Sequence, residues 1–282
     1  MNPPGEAAGA PRVLAAGGLR WTLRDAGSGP LLLALHGTGA SGHSFDALTP
    51  WLSDRFRVLT PDLPGHAGTE RPRDLSLAGM ARALGRLLAE TGCAPQVVLG
   101  HSAGAAIGLE LTRLGLAQPR QLVGLAAALM PFRGVARAVF PLAAELLARP
   151  TFARAIAGRF RRTGVGDVLR GTGSEHLDEA SRARYGALAA DTAHVGAVLG
   201  MLAAWDLEPL WGSLGQLDLD VLLLAGARDR AVPLAQQRAA AARLPRARLL
   251  QLPGAGHLLH EERPDRVGAL LRASMAAPFA GA

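Results

Sequence analysis

Short, uninterrupted apolar runs alternate along this chain with longer segments of helical periodicity. Leu31 to Leu35 is apolar at every position and is bounded by Pro30 and by His36-Gly37, the pattern of a strand buried on both faces. Phe56 to Thr60, Gln96 to Leu99, Leu122 to Leu129, Val221 to Ala225 and Ala247 to Leu252 read the same way. Val13 to Asp25, broken by Gly17-Gly18, predicts an antiparallel hairpin at a sheet edge. Between these runs, Leu75 to Thr91 carries a helical repeat behind Ser76 as N-cap. Ala103 to Leu116 and Glu261 to Met275 read as further helices. The β-α rhythm predicts an α/β fold: a mostly parallel eight-stranded sheet with helices on both faces.

That rhythm stops at residue 130 and resumes near 215. The stretch between has helical character, interrupted by Pro131, Pro141, Pro150 and a Gly164–Gly173 region. An insertion of that size predicts a helical cap over the carboxyl ends of the strands, where open α/β sheets bind ligands. The expected organisation is a core from residues 1–129 and 215–282, with the cap at 130–214.

Composition narrows the class. At 282 residues and 49% hydrophobic the chain is globular, and no apolar run is long enough to span a bilayer. The N-terminal dozen residues lack the apolar core of a secretory signal. Cys93 is the one cysteine, which excludes an internal disulfide and makes the cytoplasm the expected location. The net charge is +7 and every basic residue is arginine. Eight arginines (133, 137, 149, 154, 159, 161, 162 and 170) face two acids, Glu145 and Asp167, between Phe132 and Arg170. This local excess predicts either a solvated face or attraction to an anionic substrate, partner or membrane surface, giving peripheral membrane contact as one expectation. Aromatic content of 4% and the absence of a binding module argue against nucleic acid.

The chemistry concentrates at Gly100-His101-Ser102-Ala103-Gly104, a Gly-x-Ser-x-Gly between a predicted strand and a predicted helix. A serine on such a corner presents its hydroxyl as a nucleophile, and the first helical N–H groups point at the reacting group. The hydroxyl needs a base, and the base an orienting acid. Asp229 follows the Val221–Ala225 run and His257 follows the run ending at Leu252. The order Ser…Asp…His therefore assigns Ser102 as nucleophile, His257 as general base then acid, and Asp229 as its orienter. His260 competes with His257, but the glycines before His257 favour the latter. No carboxylate stands at Ala126–Met130, so Asp229 has no rival there. The oxyanion donors are expected to be the backbone N–H groups of Ala103 and of Thr38, the latter in His36-Gly37-Thr38-Gly39. His36 and His101 flank the site and read more readily as buried structural residues than as catalysts, with substrate binding as their expected functional role. Asp62, His66 and Glu70 do not make a metal site by spacing, and Gly37-x-Gly39-x-x-Gly42 is a weak dinucleotide match. No metal or cofactor is expected.

These motifs, with Asp62-Leu63-Pro64-Gly65-His66, resemble the α/β-hydrolase family over the whole length. Within it the chain is similar to the magnesium chelatase accessory hydrolases of bacteriochlorophyll biosynthesis in phototrophic bacteria. That similarity rests on Leu35–Ser41, Gly100–Ala106, Gly171-Thr172-Gly173-Ser174, Trp205-Asp206-Leu207 and His260–Pro264. The N-terminal segment looks shortened beside that family. The resemblance implies an acyl-bond hydrolase acting beside magnesium insertion, with magnesium chelatase subunits as partners and a small acyl or tetrapyrrole-related substrate. A tetrapyrrole's propionates would then meet Arg159, Arg161 and Arg162. The competing reading is a non-catalytic accessory that binds a porphyrin or a chelatase subunit. Dehalogenation or epoxide opening would need a carboxylate at position 102.

Overall fold

The computed structural model describes residues 2–131 and 143–275, so Arg133 and Arg137 of the basic cluster lie outside the described residues. Eight strands form one sheet: β1 (Arg12–Ala16), β2 (Leu19–Ala26), β3 (Leu31–Leu35), β4 (Arg57–Pro61), β5 (Val97–His101), β6 (Gln121–Leu125), β7 (Asp220–Gly226) and β8 (Ala247–Leu252). Their spatial order is β1-β2-β4-β3-β5-β6-β7-β8. The β1–β2 and β2–β4 pairs are antiparallel and all the others parallel.

The unbroken apolar runs follow from burial on two faces. Leu31, Leu33 and Leu35 join one core, while Leu32 and Ala34 of the same strand join the other. In β7, Val221 and Leu223 divide from Leu222 and Leu224 in the same manner. Each such leucine or valine side chain contributes about 1.5–3 kcal/mol by leaving water, so the buried positions of these strands are apolar. The first core is closed by α1 (Leu77–Glu90), α2 (Ala103–Arg113), α7 (Glu208–Ser213) and α8 (Leu234–Ala241). The second is closed by Phe45, Leu48 and Trp51 from two short 3₁₀ turns and by α9 (Leu259–Glu262) and α10 (Pro264–Ser274). Helix α1 starts where expected, with the Ser76 hydroxyl accepting the Gly79 N–H at 3.1 Å.

Two segments depart from the sequence reading. The run Leu122–Leu129 is a strand only to Leu125. Ala126 takes a positive φ of 47° and the chain folds back, so that the Ala128 N–H reaches the Ser102 carbonyl at 3.2 Å. The closing helix over Glu261–Met275 is two helices, because Pro264 cannot continue α9 and Arg263 turns to φ −141°, ψ 55°.

Beyond β6 the described chain is helical: α3 (Pro150–Thr163), α4 (Gly166–Gly171), α5 (Glu179–Ala190) and α6 (Thr192–Ala203). Asp178 and Asp191 cap α5 and α6 by accepting N–H groups of their first turns. Ala153 and Ala157 of α3 pack on Val195 of α6, while Val165, Leu169, Leu177 and Tyr185 pack on Ala40 and Leu258 of the sheet-bearing part. Among the described residues, no single helix is long and apolar enough to cross a membrane.

Candidate active site

Ser102 stands between β5 and α2 with φ 51° and ψ −115°, a backbone conformation that side chains rarely adopt. Three main-chain hydrogen bonds hold it there: its N–H donates to Leu125, and its carbonyl accepts from Ala105 and Ala128. Gly104 makes the corner possible, since a Cβ there would lie 2.1 Å from the Leu35 carbonyl oxygen. The Ala103 N–H opens α2 and so has no partner within the helix.

Asp229 and His257 arrive on the loops after β7 and β8, which are neighbours in the sheet. His257 Nδ1 donates to Asp229 Oδ2 at 3.0 Å. The other oxygen, Oδ1, accepts the N–H groups of Ala231 and Val232 at 2.9 and 2.8 Å, so the carboxylate cannot swing away from the ring. With Nδ1 as donor, the imidazole Nε2 carries the free lone pair. Among the described residues, no hydrogen bond joins that nitrogen to the Ser102 hydroxyl, but both side chains line one cavity of about 290 Å³. Such contacts commonly close only when substrate is bound.

The same cavity is lined by Thr38 and Gly39 of the loop after β3, and by Ile156, Phe160, Val165, Val168, Leu169, Tyr185 and Val195 of the inserted helices. Among the described residues its lining is almost wholly apolar and includes no arginine. The structure therefore does not bring Arg159, Arg161 and Arg162 to the cavity. All three are exposed, and Arg161 donates to the Ala190 carbonyl. Helix α3 turns Ala153 and Ala157 inward, which leaves the arginines pointing to solvent.

His36 is fully buried away from the cavity and bridges two loops, donating from Nδ1 to the Gly37 carbonyl and accepting the Leu63 N–H at Nε2. His101 does reach the cavity, and its Nε2 donates to the His257 carbonyl at 3.1 Å, fixing the loop that carries His257. Burial holds both rings well below the ordinary histidine range, hence neutral. His260 points elsewhere, to the Ser44 hydroxyl at 2.7 Å. Asp62 accepts the Gly42 and Gly68 N–H groups while His66 donates to Pro64 and Glu70 accepts from Arg20, so these three do not converge. Among the described residues no cluster of histidine, cysteine and carboxylate side chains is poised for a metal.

Several positioning groups carry no motif of their own. His194 of α6 lines the cavity, accepts the Ala67 N–H at Nδ1 (3.0 Å) and donates from Nε2 to the Gly39 carbonyl (3.3 Å). It thus pins the Thr38 loop to the inserted helices. A lone histidine in an otherwise apolar helix was its signal. Behind Tyr185, the Glu261 carboxylate accepts the Tyr185 hydroxyl at 2.6 Å and the Ser44 hydroxyl at 2.8 Å. Burial pushes that carboxyl up to about 7.

The Gly171–Ser174 turn and Glu262 form a clamp around the two loops bearing Asp229 and His257. The Ser174 hydroxyl accepts the Leu258 N–H, and the Thr172 carbonyl accepts the Arg230 N–H. Gly173 and Gly256 touch backbone to backbone: a Cβ on Gly256 would lie 2.1 Å from the Gly173 carbonyl oxygen. Glu262 accepts three N–H groups, from Gly256 (2.6 Å), Glu175 (2.9 Å) and His176 (3.1 Å). Glu262→Ala strands those donors, at about 1–3 kcal/mol for each one that water cannot reach. The expected loss is about 2–4 kcal/mol of unfolding free energy, read as a lower urea midpoint with unchanged slope. A midpoint equal to wild type would remove the clamp.

Comparison with known proteins follows from this geometry. The family model described as "Alpha/beta hydrolase family" matches residues 31–270. A Rhodobacter capsulatus protein named magnesium-chelatase 30 kDa subunit is 44% identical over 262 residues, covering 90% of each chain. A pimeloyl-[acyl-carrier protein] methyl ester esterase of Aromatoleum aromaticum is 32% identical over 256 residues, 86% of this chain and 96% of its own. An α/β hydrolase fold protein of Burkholderia ambifaria superposes with a TM-score of 0.79 at 25% identity, over 97% of this chain and all of the other.

Proposed function

This chain belongs to the α/β-hydrolase family, related to a magnesium chelatase subunit and to esterases, and from that premise we propose that it is a serine hydrolase opening an ester or related acyl bond. The observation that carries the reading is the Asp229–His257 hydrogen bond, at the cavity that also takes in the strained Ser102.

His257 Nε2 takes the Ser102 proton as Oγ attacks the acyl carbon. Asp229 keeps the ring in the Nδ1–H tautomer and stabilises the imidazolium. The oxyanion is received by the N–H groups of Ala103 and Thr38, both fixed before substrate arrives. His257 then returns its proton to the leaving alcohol, and water repeats the sequence on the acyl-enzyme. The helices of the 130–214 insertion act as the cap that dries the site. Among the described residues no charged side chain but the catalytic pair stands near the reacting centre, and the cavity so favours an acyl group that is itself uncharged. A tetrapyrrole-related substrate would enter through a neutral, esterified arm, since a free propionate meets no arginine among the described lining residues.

Similarity to the chelatase subunit supports a role beside magnesium insertion in bacteriochlorophyll biosynthesis, with chelatase subunits as partners. The test is covalent capture. A fluorophosphonate probe should phosphonylate the protein once, and peptide mass spectrometry should place the adduct on Ser102. Absence of any adduct on folded protein would favour the alternative, an accessory that holds a porphyrin or a chelatase subunit without catalysis.

A further inference from the structure

The surface around the cavity has a second character that catalysis does not use. On α3 the residues Phe152, Ala155, Arg159 and Arg162 follow an i, i+3, i+7, i+10 spacing, and all four are exposed. Phe152 is 43% exposed and, on α4, Val168 is 53% exposed. Val168 also lines the cavity, as do Ile156 and Phe160, which continue the Phe152 stripe one and two turns on. An apolar strip therefore runs from open solvent into the catalytic cavity. Arg159 and Arg162 stand beside it, and among the described residues neither forms an ion pair. Glu145 and Asp167 are the only acids between Phe132 and Arg170, and Asp167 is already paired with Arg170.

We propose that this face docks on an anionic lipid bilayer, with α3 lying in the interface and the cavity mouth opening onto it. Exposed large apolar groups beside unpaired arginines match a surface that is negative above and apolar below. Arginine suits the level of the headgroups, because its stem stays among apolar groups while the guanidinium reaches phosphate. An acidic protein would satisfy the charge but leave Phe152 and Val168 without an apolar phase. Docking also supplies a route: an apolar acyl substrate dissolved in the bilayer would pass along Phe152, Ile156 and Phe160 without crossing water. Only that route rests on the hydrolase reading; the docking itself does not.

The experiment is co-sedimentation of the purified full-length chain with vesicles of pure phosphatidylcholine and of an equal mixture of phosphatidylcholine and phosphatidylglycerol. Binding is expected to the mixed vesicles alone and to fall as salt is raised. Each arginine near the surface is worth about 1 kcal/mol, or about fivefold. Arg159→Gln with Arg162→Gln should therefore weaken binding about 25-fold, and the matching lysine pair should retain it. Phe152→Ser should weaken binding at high salt most, where the apolar share dominates. Arg248→Gln with Arg266→Gln, the same charge change on β8 and α10, should leave it unaltered. Ser102→Ala should sediment like wild type, so a failed hydrolase reading and a failed docking reading are told apart. No sedimentation with mixed vesicles at low salt overturns the proposal, as does equal weakening by the two glutamine pairs.

Discussion

Ser102→Ala should abolish turnover of p-nitrophenyl esters, by at least about 10⁴-fold in kcat, with KM little changed. The fold survives the change. Ser102 is anchored by its backbone through Leu125, Ala105 and Ala128, and alanine occupies the strained φ of 51° at no greater cost than serine. Asp229→Asn is the sharper companion experiment. An asparagine oxygen still accepts the Ala231 and Val232 N–H groups, so the loop keeps its shape. Its amide then faces His257 Nδ1 with a donor where an acceptor stood. The ring is driven to the other tautomer, Nε2 becomes protonated, and the base is lost, again by about 10⁴-fold in kcat. If either variant keeps more than a tenth of wild-type turnover on these esters, the acyl-enzyme chemistry is wrong.

Acidification unfolds the protein near pH 5. Six of the eight histidines (36, 43, 66, 101, 194 and 260) are buried and held neutral, with burial the leading cause in each. His43 is lowered to about 4, and His66 and His260 to about 3. In the unfolded chain each takes up a proton near pH 6.5. Below that pH the unfolded state binds more protons than the native one, so stability falls with pH until the native rings themselves titrate. At about 1.4 kcal/mol per group, six groups give a slope of up to about 8 kcal/mol per pH unit, against a typical total of about 5–15 kcal/mol. Glu261 works in the opposite sense. Its native carboxyl titrates at about 7 against 4.5 unfolded, so it adds stability as pH falls through that interval, up to about 3 kcal/mol. The histidines outweigh it. Near-ultraviolet circular dichroism should collapse in one transition near pH 5, and a native spectrum at pH 4 would contradict the account. Glu261→Gln should be more stable than wild type at neutral pH and lose that advantage as the pH falls toward 4.5, because the neutral amide carries none of the cost of a buried carboxylate.

The strands were legible because a parallel sheet covered on both faces admits only apolar side chains, and Leu31–Leu35 and Val221–Ala225 obey that without exception. Gly100 to Gly104 was legible because the elbow permits few residue types. Asp229 and His257 were readable from chain order and from their places after successive strands. The false extension of Leu122–Leu129 has the opposite cause: Ala126 to Leu129 is apolar because it packs beneath Ser102, and apolarity alone does not tell a strand from a buried turn. The arginines were misdirected to the cavity for a similar reason. Their count says how much charge the segment carries, but only the inward turn of Ala153 and Ala157 says which way Arg159 and Arg162 face.

Local rules, then, were written into the order of residues: two-sided burial, the small residues of a tight corner, and the succession of serine, aspartate and histidine, each after a strand. Assembly decided the rest. Glu262, Ser174, His194 and Glu261 act across separations of many residues, and their meaning depends on which backbone N–H or hydroxyl the packed chain delivers to them. A single carboxylate or imidazole looks the same in sequence whether it meets water or three buried donors. Only the folded chain brings those donors to it.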